Sequence, residues 1–232
     1  MTDRPAPSPV PSGNDDALRV EAARHALLRR LAPSLRHEAV AHLQPIAMVG
    51  GVLERRIAAP APELPALREG VTRLVDASRA AVQSSLDLIA WLAPEPGTRA
   101  LHEAVAETVA LLRGSLGFRG FTLHDETAGA DSPVARAGLR YLLPACLLWL
   151  TDRAGAPADV RLRAQVEPGL ARLALALAPG EGSAGMDTPP AYRPLRREEL
   201  EALARSEGIG LESDGDRLVL TLPTAAGAAP AA

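Results

Sequence analysis

The string LRHEAVAHLQPIAMVGGVLERR (35–56) sets an imidazole, His37, directly beside a carboxylate, Glu38, with a second histidine, His42, five residues on. On a helix, His37 falls between the apolar positions Leu35 and Ala39 and faces outward, whereas Glu38 and His42 form an i, i+4 pair on one flank. An acid beside an exposed imidazole can hold one ring nitrogen as N–H and leave the lone pair of the other free, which is the arrangement a nucleophilic histidine needs. His42 lies on the apolar stripe, where a satisfied core histidine is the ordinary outcome. Other clusters carry less. His102 with Glu103, and His124 with Asp125 and Glu126, have no third partner at metal-ligand spacing and read as exposed. Ser84, Ser85 and Ser183 lack a nucleophile elbow or an oxyanion loop. Cys146, the one cysteine, sits in LLPACLLWL and reads as a buried small hydrophobe of a reducing compartment.

The elements that must hold these groups follow from periodicity. Residues 1–15 read as a disordered, proline-rich leader, and 225–232 as a flexible small-residue tail. Leu28, Ala32, Leu35, Ala39, Ile46, Val49 and Leu53 recur at spacings of three, four or seven, which predicts a long amphipathic helix from Ala17 to about Ile57. Pro45 removes a hydrogen bond to Ala41 and is expected to bend it. After AAPAPELP a second helix, from about Pro65 to Ala93, carries Leu67, Val71, Leu74, Ser78, Ala81, Ser85, Leu88 and Leu92 on one stripe. Residues 16–94 thus form a helical hairpin, and a lone hairpin buries its faces poorly, so a homodimeric four-helix bundle is expected. From 97 to 224 the rhythm is mixed: helix 98–115, strand 121–126, helix 135–154, a hairpin from DVRLRAQVE and LARLALALA, helix REELEALARSEG, and a last hairpin from GIGLES and RLVLTLP. The fold class is therefore α+β: a long antiparallel hairpin followed by an α/β sandwich with helices on one face of a mixed sheet.

Composition narrows the partners. All 25 basic residues are arginine, Asn14 is the one asparagine, and 28 acidic residues leave a net charge of −3. Without a basic block there is no electrostatic footprint for nucleic acid or an anionic membrane, and aromatic residues at 3% are too sparse for base stacking. The absence of a long apolar stretch or a signal peptide predicts a cytoplasmic protein.

The 35–56 string resembles the phosphoacceptor box of bacterial two-component sensor histidine kinases, in the subclass whose box reads His-Asp/Glu, three residues, then Gln or His. The later segments resemble, in order, that family's ATP-binding domain, ending in a similar Arg-x-Glu-Glu-Leu-Glu-Ala-Leu-Ala helix and Leu-Val-Leu-Thr-Leu-Pro strand. The resemblance implies that His37 is the phosphoacceptor, Glu38 the adjacent acid/base, and His42 a residue that positions water for dephosphorylating a regulator. It also implies a response-regulator receiver domain as partner.

The chain departs from that family where nucleotide would bind. The helix 142–155 has Leu, Trp, Thr and Asp where the family places a Mg²⁺-holding asparagine, and Gly180-Glu181-Gly182 has no preceding aspartate for adenine. Phosphoryl transfer from ATP depends on metal bridging the phosphates, so the sandwich reads as a degenerate ATPase-like unit that binds neither ATP nor metal, although Asp152 offers one carboxylate in the asparagine's place. The expected function is a histidine phosphotransferase that relays a phosphoryl group between receiver aspartates through His37, with Mg²⁺ supplied by the receiver. The alternatives are a catalytically dead pseudokinase that binds, sequesters or dephosphorylates a regulator, and a divergent but active sensor kinase.

Overall fold

The computed structural model describes residues 13–92, 96–186 and 189–224. Helix α1 (Gly13–Ile57) carries Asp15 and Asp16 in its first turn and Arg55 and Arg56 in its last, charges that complement the helix dipole at both ends. It begins inside the segment expected to be leader; the rest of that segment, and the expected tail, lie outside the described residues. Pro33 and Pro45 both fall within α1, which continues through them. Helix α2 (Leu64–Leu92) returns antiparallel to it. The turn between them holds Pro60 and Pro62, where helix cannot continue.

The two halves of α1 have different neighbours. Val20, Ala23, Ala26, Leu27 and Leu31 are buried in the core of the sandwich, and only beyond them does α1 pair with α2, Leu53 closing on Gly70. The sequence predicts one stripe along the whole helix; the structure has two, rotated from each other, because the helix serves two partners in succession.

The sandwich comprises β1 (Thr98–Ala100), α3 (Leu101–Phe118), β2 (Phe121–Glu126), β3 (Pro133–Ala135), α4 (Arg136–Arg153), β4 (Ala158–Glu167), β5 (Leu170–Pro179), α5 (Arg197–Ser206), β6 (Gly210–Asp214) and β7 (Arg217–Pro223). Five strands form one sheet in the order β2-β4-β5-β7-β6, and β1 pairs with β3 as a separate two-stranded ribbon that periodicity did not anticipate. The β2–β4 pair is parallel, with α4 in the crossover between them, and the remaining pairs are antiparallel. Alternation decides the faces: Val160, Leu162, Leu173, Leu175, Leu218 and Leu220 point into the core, whereas Arg163, Arg172 and Arg217 point outward. Helices α3, α4 and α5 cover the inner face, and α4 is buried without a break from Gly138 to Thr151. Cys146 lies in that stretch, and burial pushes its thiol well above the ordinary value, so it packs as a small hydrophobe. Among the described residues, no helix is long and apolar enough to cross a membrane.

Candidate functional site

His37 and Glu38 are both exposed on α1, between about five and six turns before its end, and His42 is half-buried about one turn further on. The outward placement of His37 agrees with the sequence reading. Glu38 lines a cleft of about 590 Å³ between hairpin and sandwich. Its hairpin wall adds Gln83, Asp87 and Trp91, and its sandwich wall Arg99, Glu103, Glu107 and Arg136. Arg99 donates to Glu103 at 3.1 Å and to Glu107 at 2.5 Å, and Arg140 also pairs with Glu107. The carboxylates on the sandwich wall are thus neutralised within the sandwich, leaving those of Glu38 and Asp87 as the negative charges of the hairpin wall.

A second cleft, about 310 Å³, opens beside α1 nearer its start. It is lined by Arg30, Pro33 and Ser34 of α1 together with Phe118 and Met186, both largely exposed, and Leu148. Residues 30, 33, 34 and 37 recur at helical spacing, so His37 continues the stripe that forms this wall.

At the floor lies a charge cluster that sequence reasoning missed. Arg30 donates both terminal nitrogens to Asp152, at 2.6 and 2.8 Å, and Arg119 adds a bond of 3.1 Å to the same carboxylate and another of 3.1 Å to the Thr151 carbonyl. The Arg30 and Asp152 side chains retain only 3% and 7% of their exposure. The signal available beforehand was an arginine on the Val20–Ala23–Leu27–Leu31 face of α1, where a charge must find a counter-charge.

Both oxygens of Asp152 are thus bonded to guanidinium groups, those of Arg30 and Arg119. No group of three or more His, Cys, Asp or Glu among the described residues is arranged to hold a metal ion. The connection after β5 is pinned down as well: the Met186 N–H donates to the Phe118 carbonyl at 2.7 Å. Gly185, at φ +67°, approaches so closely that a Cβ there would stand 2.3 Å from the Gly120 nitrogen.

His102 and His124, the other histidines weighed from the sequence, have structural neighbours. His102 Nδ1 is 3.3 Å from the Ala130 carbonyl and 3.1 Å from Asp131, and His124 Nε2 lies 3.2 Å from Asp159 Oδ2 without the alignment of a hydrogen bond. Both are half-buried rather than freely exposed. Ser84 is buried against the hairpin seam, and Ser85 donates to the Ala81 carbonyl of its own helix.

A hairpin of long helices followed by an α/β sandwich, with an exposed histidine on the first helix, defines the class of fold. Histidine kinases are among the solved structures that this chain resembles. They include the nucleotide-free catalytic domain of histidine kinase ThkA (TM-score 0.42, 13% identity, covering 56% of this chain and 96% of that one). A histidine kinase from Burkholderia phymatum STM815 matches over 92% of this chain and 99% of its own, at TM-score 0.41 and 16% identity. ThkA in complex with response regulator protein TrrA matches over 92% and 67%, at TM-score 0.42 and 15% identity. No family model matches the sequence, and no curated protein matches it.

Proposed function

We propose that this chain is a histidine phosphotransferase of the two-component type, which accepts a phosphoryl group from a receiver-domain aspartate onto His37 and passes it to another receiver without using ATP. The observation that carries this reading is a contrast: His37 and Glu38 stand exposed on α1, while Asp152, which the resemblance sets in the stretch where metal would be held, is bonded by Arg30 and Arg119. A phosphoryl carrier needs the first and has no use for a nucleotide site.

In the accepting step one ring nitrogen of His37 attacks phosphorus. The N–P bond forms as the P–O bond to the receiver's aspartate breaks, and the carboxylate leaves with the electron pair. Glu38 holds the proton on the other ring nitrogen, which keeps the attacking lone pair free and stabilises the positive charge that develops on the ring. The receiver brings its own Mg²⁺ and acidic pocket. Transfer onward is the reverse sequence with a second receiver. To His42, half-buried one turn away, this reading gives the orienting of water against a phosphorylated partner.

Exposed apolar side chains on the hairpin support a homodimer. Val71, Val75, Val82, Leu86 and Ile89 of α2 recur at spacings of three, four and seven and are exposed, as are Val40, Leu43 and Ile57 of α1. A second hairpin packed on this stripe completes a four-helix bundle.

The test is incubation with receiver domains phosphorylated by radiolabelled acetyl phosphate. Label passes to the wild-type chain and not to His37→Ala; equal labelling of the two, or none in either, overturns the reading. A His37→Ala chain that still binds and dephosphorylates the receiver as well as wild type points instead to a pseudokinase.

A further inference from the structure

The Arg30–Asp152–Arg119 cluster joins α1 to the C-terminal end of α4 and to the α3–β2 turn, across 122 residues of sequence in the case of Arg30 and Asp152. Taking such charges out of water is costly, and replacing a buried ion pair by apolar residues often leaves stability unchanged or raised. Stability alone therefore does not account for the cluster. What an ion pair adds to apolar contact is direction and register.

The other ion pairs between α1 and the sandwich, Arg24 with Glu207 and Arg205 with Asp16, lie nearer the start of α1 and are more exposed, and the apolar contacts around Arg30 lack direction. The face that α1 presents to the sandwich contains Ala23 and Ala26 beside Leu27 and Leu31, and apolar burial of this kind tolerates a helix that slides or rolls. The two parallel bonds from the Arg30 fork to Asp152 do not, because a planar guanidinium matches a carboxylate in one orientation. His37 follows Arg30 by seven residues, about two helical turns or ~10 Å along the axis, and lies on the same stripe.

We propose that Asp152 is a positioning residue for His37: by gripping Arg30 it fixes the roll and axial place of α1, so that the imidazole two turns on is presented beside the cleft formed by Ser34, Phe118 and Met186. Arg119, bonded to the same carboxylate and to the Thr151 carbonyl, holds Asp152 in turn. The position that the resemblance assigns to metal binding is in this chain a register pin between hairpin and sandwich. This inference rests on His37 being the phosphoacceptor.

The experiment uses the full chain and a receiver domain phosphorylated with acetyl phosphate, and measures the rate constant of transfer as a function of receiver concentration. Asp152→Asn keeps the shape and removes the charge; Arg30→Lys keeps the charge and removes the fork. Both are expected to lower the rate constant at saturation by about tenfold or more, as a misplaced reacting group does, with the half-saturating receiver concentration changed by less than about twofold. Melting curves establish the folded fraction of each variant. Saturated rates within about twofold of wild type in both variants overturn the proposal, as does a loss that disappears once corrected for folded fraction. If Asp152→Asn does not fold, the result for Arg30→Lys decides by the same criterion. His37→Ala is run in parallel: label in that variant sinks the phosphoacceptor reading itself, whereas unlabelled His37→Ala with fully active Asp152→Asn and Arg30→Lys sinks only the register pin.

Discussion

Glu199 shows how a single acidic side chain in this molecule serves local order. It sits at the third position of α5, accepts the Arg196 backbone N–H at 2.8 Å, and receives both terminal nitrogens of Arg193 at 2.9 and 2.6 Å. Burial pushes its carboxyl toward protonation, but the hydrogen bonds and charges of Arg193 and Arg196 outweigh it and hold the group below the ordinary glutamate value of 4.5. A carboxylate with a depressed native value contributes stability that is complete above the unfolded value and is lost as pH falls through the native one. Thermal unfolding followed from pH 7 downward should therefore show wild type losing stability below about pH 4.5, with a smaller loss in Glu199→Gln, which is already weakened at neutral pH. The same logic of charge and counter-charge was only half legible in the sequence. The exposure of His37 followed from its place between Leu35 and Ala39, because that depends on local periodicity alone. The fate of Asp152 did not, because its partner lies on another element.

At the scale of elements, the hairpin seam turns on one small residue. A Cβ at Gly70 would stand 2.5 Å from Leu53 Cδ2 and 3.1 Å from its Cγ, so α1 and α2 approach here as closely as a glycine permits. Gly70→Val should destabilise the chain by about 1–3 kcal/mol through overpacking, measured by urea or thermal denaturation. Gly51→Ala, whose added Cβ meets nothing nearer than 3.9 Å, should instead be neutral or gain up to about 1 kcal/mol of helix propensity. Most elements were legible to within about three residues because their alternation is clean: FTLHDE occupies β2 as read, and RLVLTLP occupies β7. The β1–β3 ribbon was not, since three-residue strands leave no periodic trace. The double stripe of α1 was blurred for another reason. A helix that changes partner midway rotates its apolar face, and a reading over the whole length averages the two directions.

For the molecule as a whole, the order of parts could be read from the sequence, but the docking of α1 on the sandwich could not, because contacts such as Arg24 to Glu207 at 2.9 Å and Arg205 to Asp16 at 3.2 Å join distant segments without a local signature. The unpartnered stripe of the hairpin makes a prediction at this scale. Val82 and Leu86 lie in the second half of α2 and are more than half exposed. Placing a charge at both, in Val82→Glu with Leu86→Glu, should convert a dimer into a monomer by light scattering while leaving circular dichroism unchanged. A wild-type chain that is monomeric at micromolar concentration sinks the four-helix bundle.

The junction of hairpin and sandwich also carries its own chromophore. Of the two tryptophans in the chain, Trp91 lies at the end of α2 and is only 4% exposed. The Tyr141 hydroxyl donates to its carbonyl at 2.8 Å, and the Arg140 guanidinium sits 5.1 Å from its ring. Trp149 belongs to α4 and stays with the sandwich, under Arg153 at 4.7 Å. Parting the two units wets the Trp91 indole, so the colour and quenching of intrinsic fluorescence report undocking with no label attached.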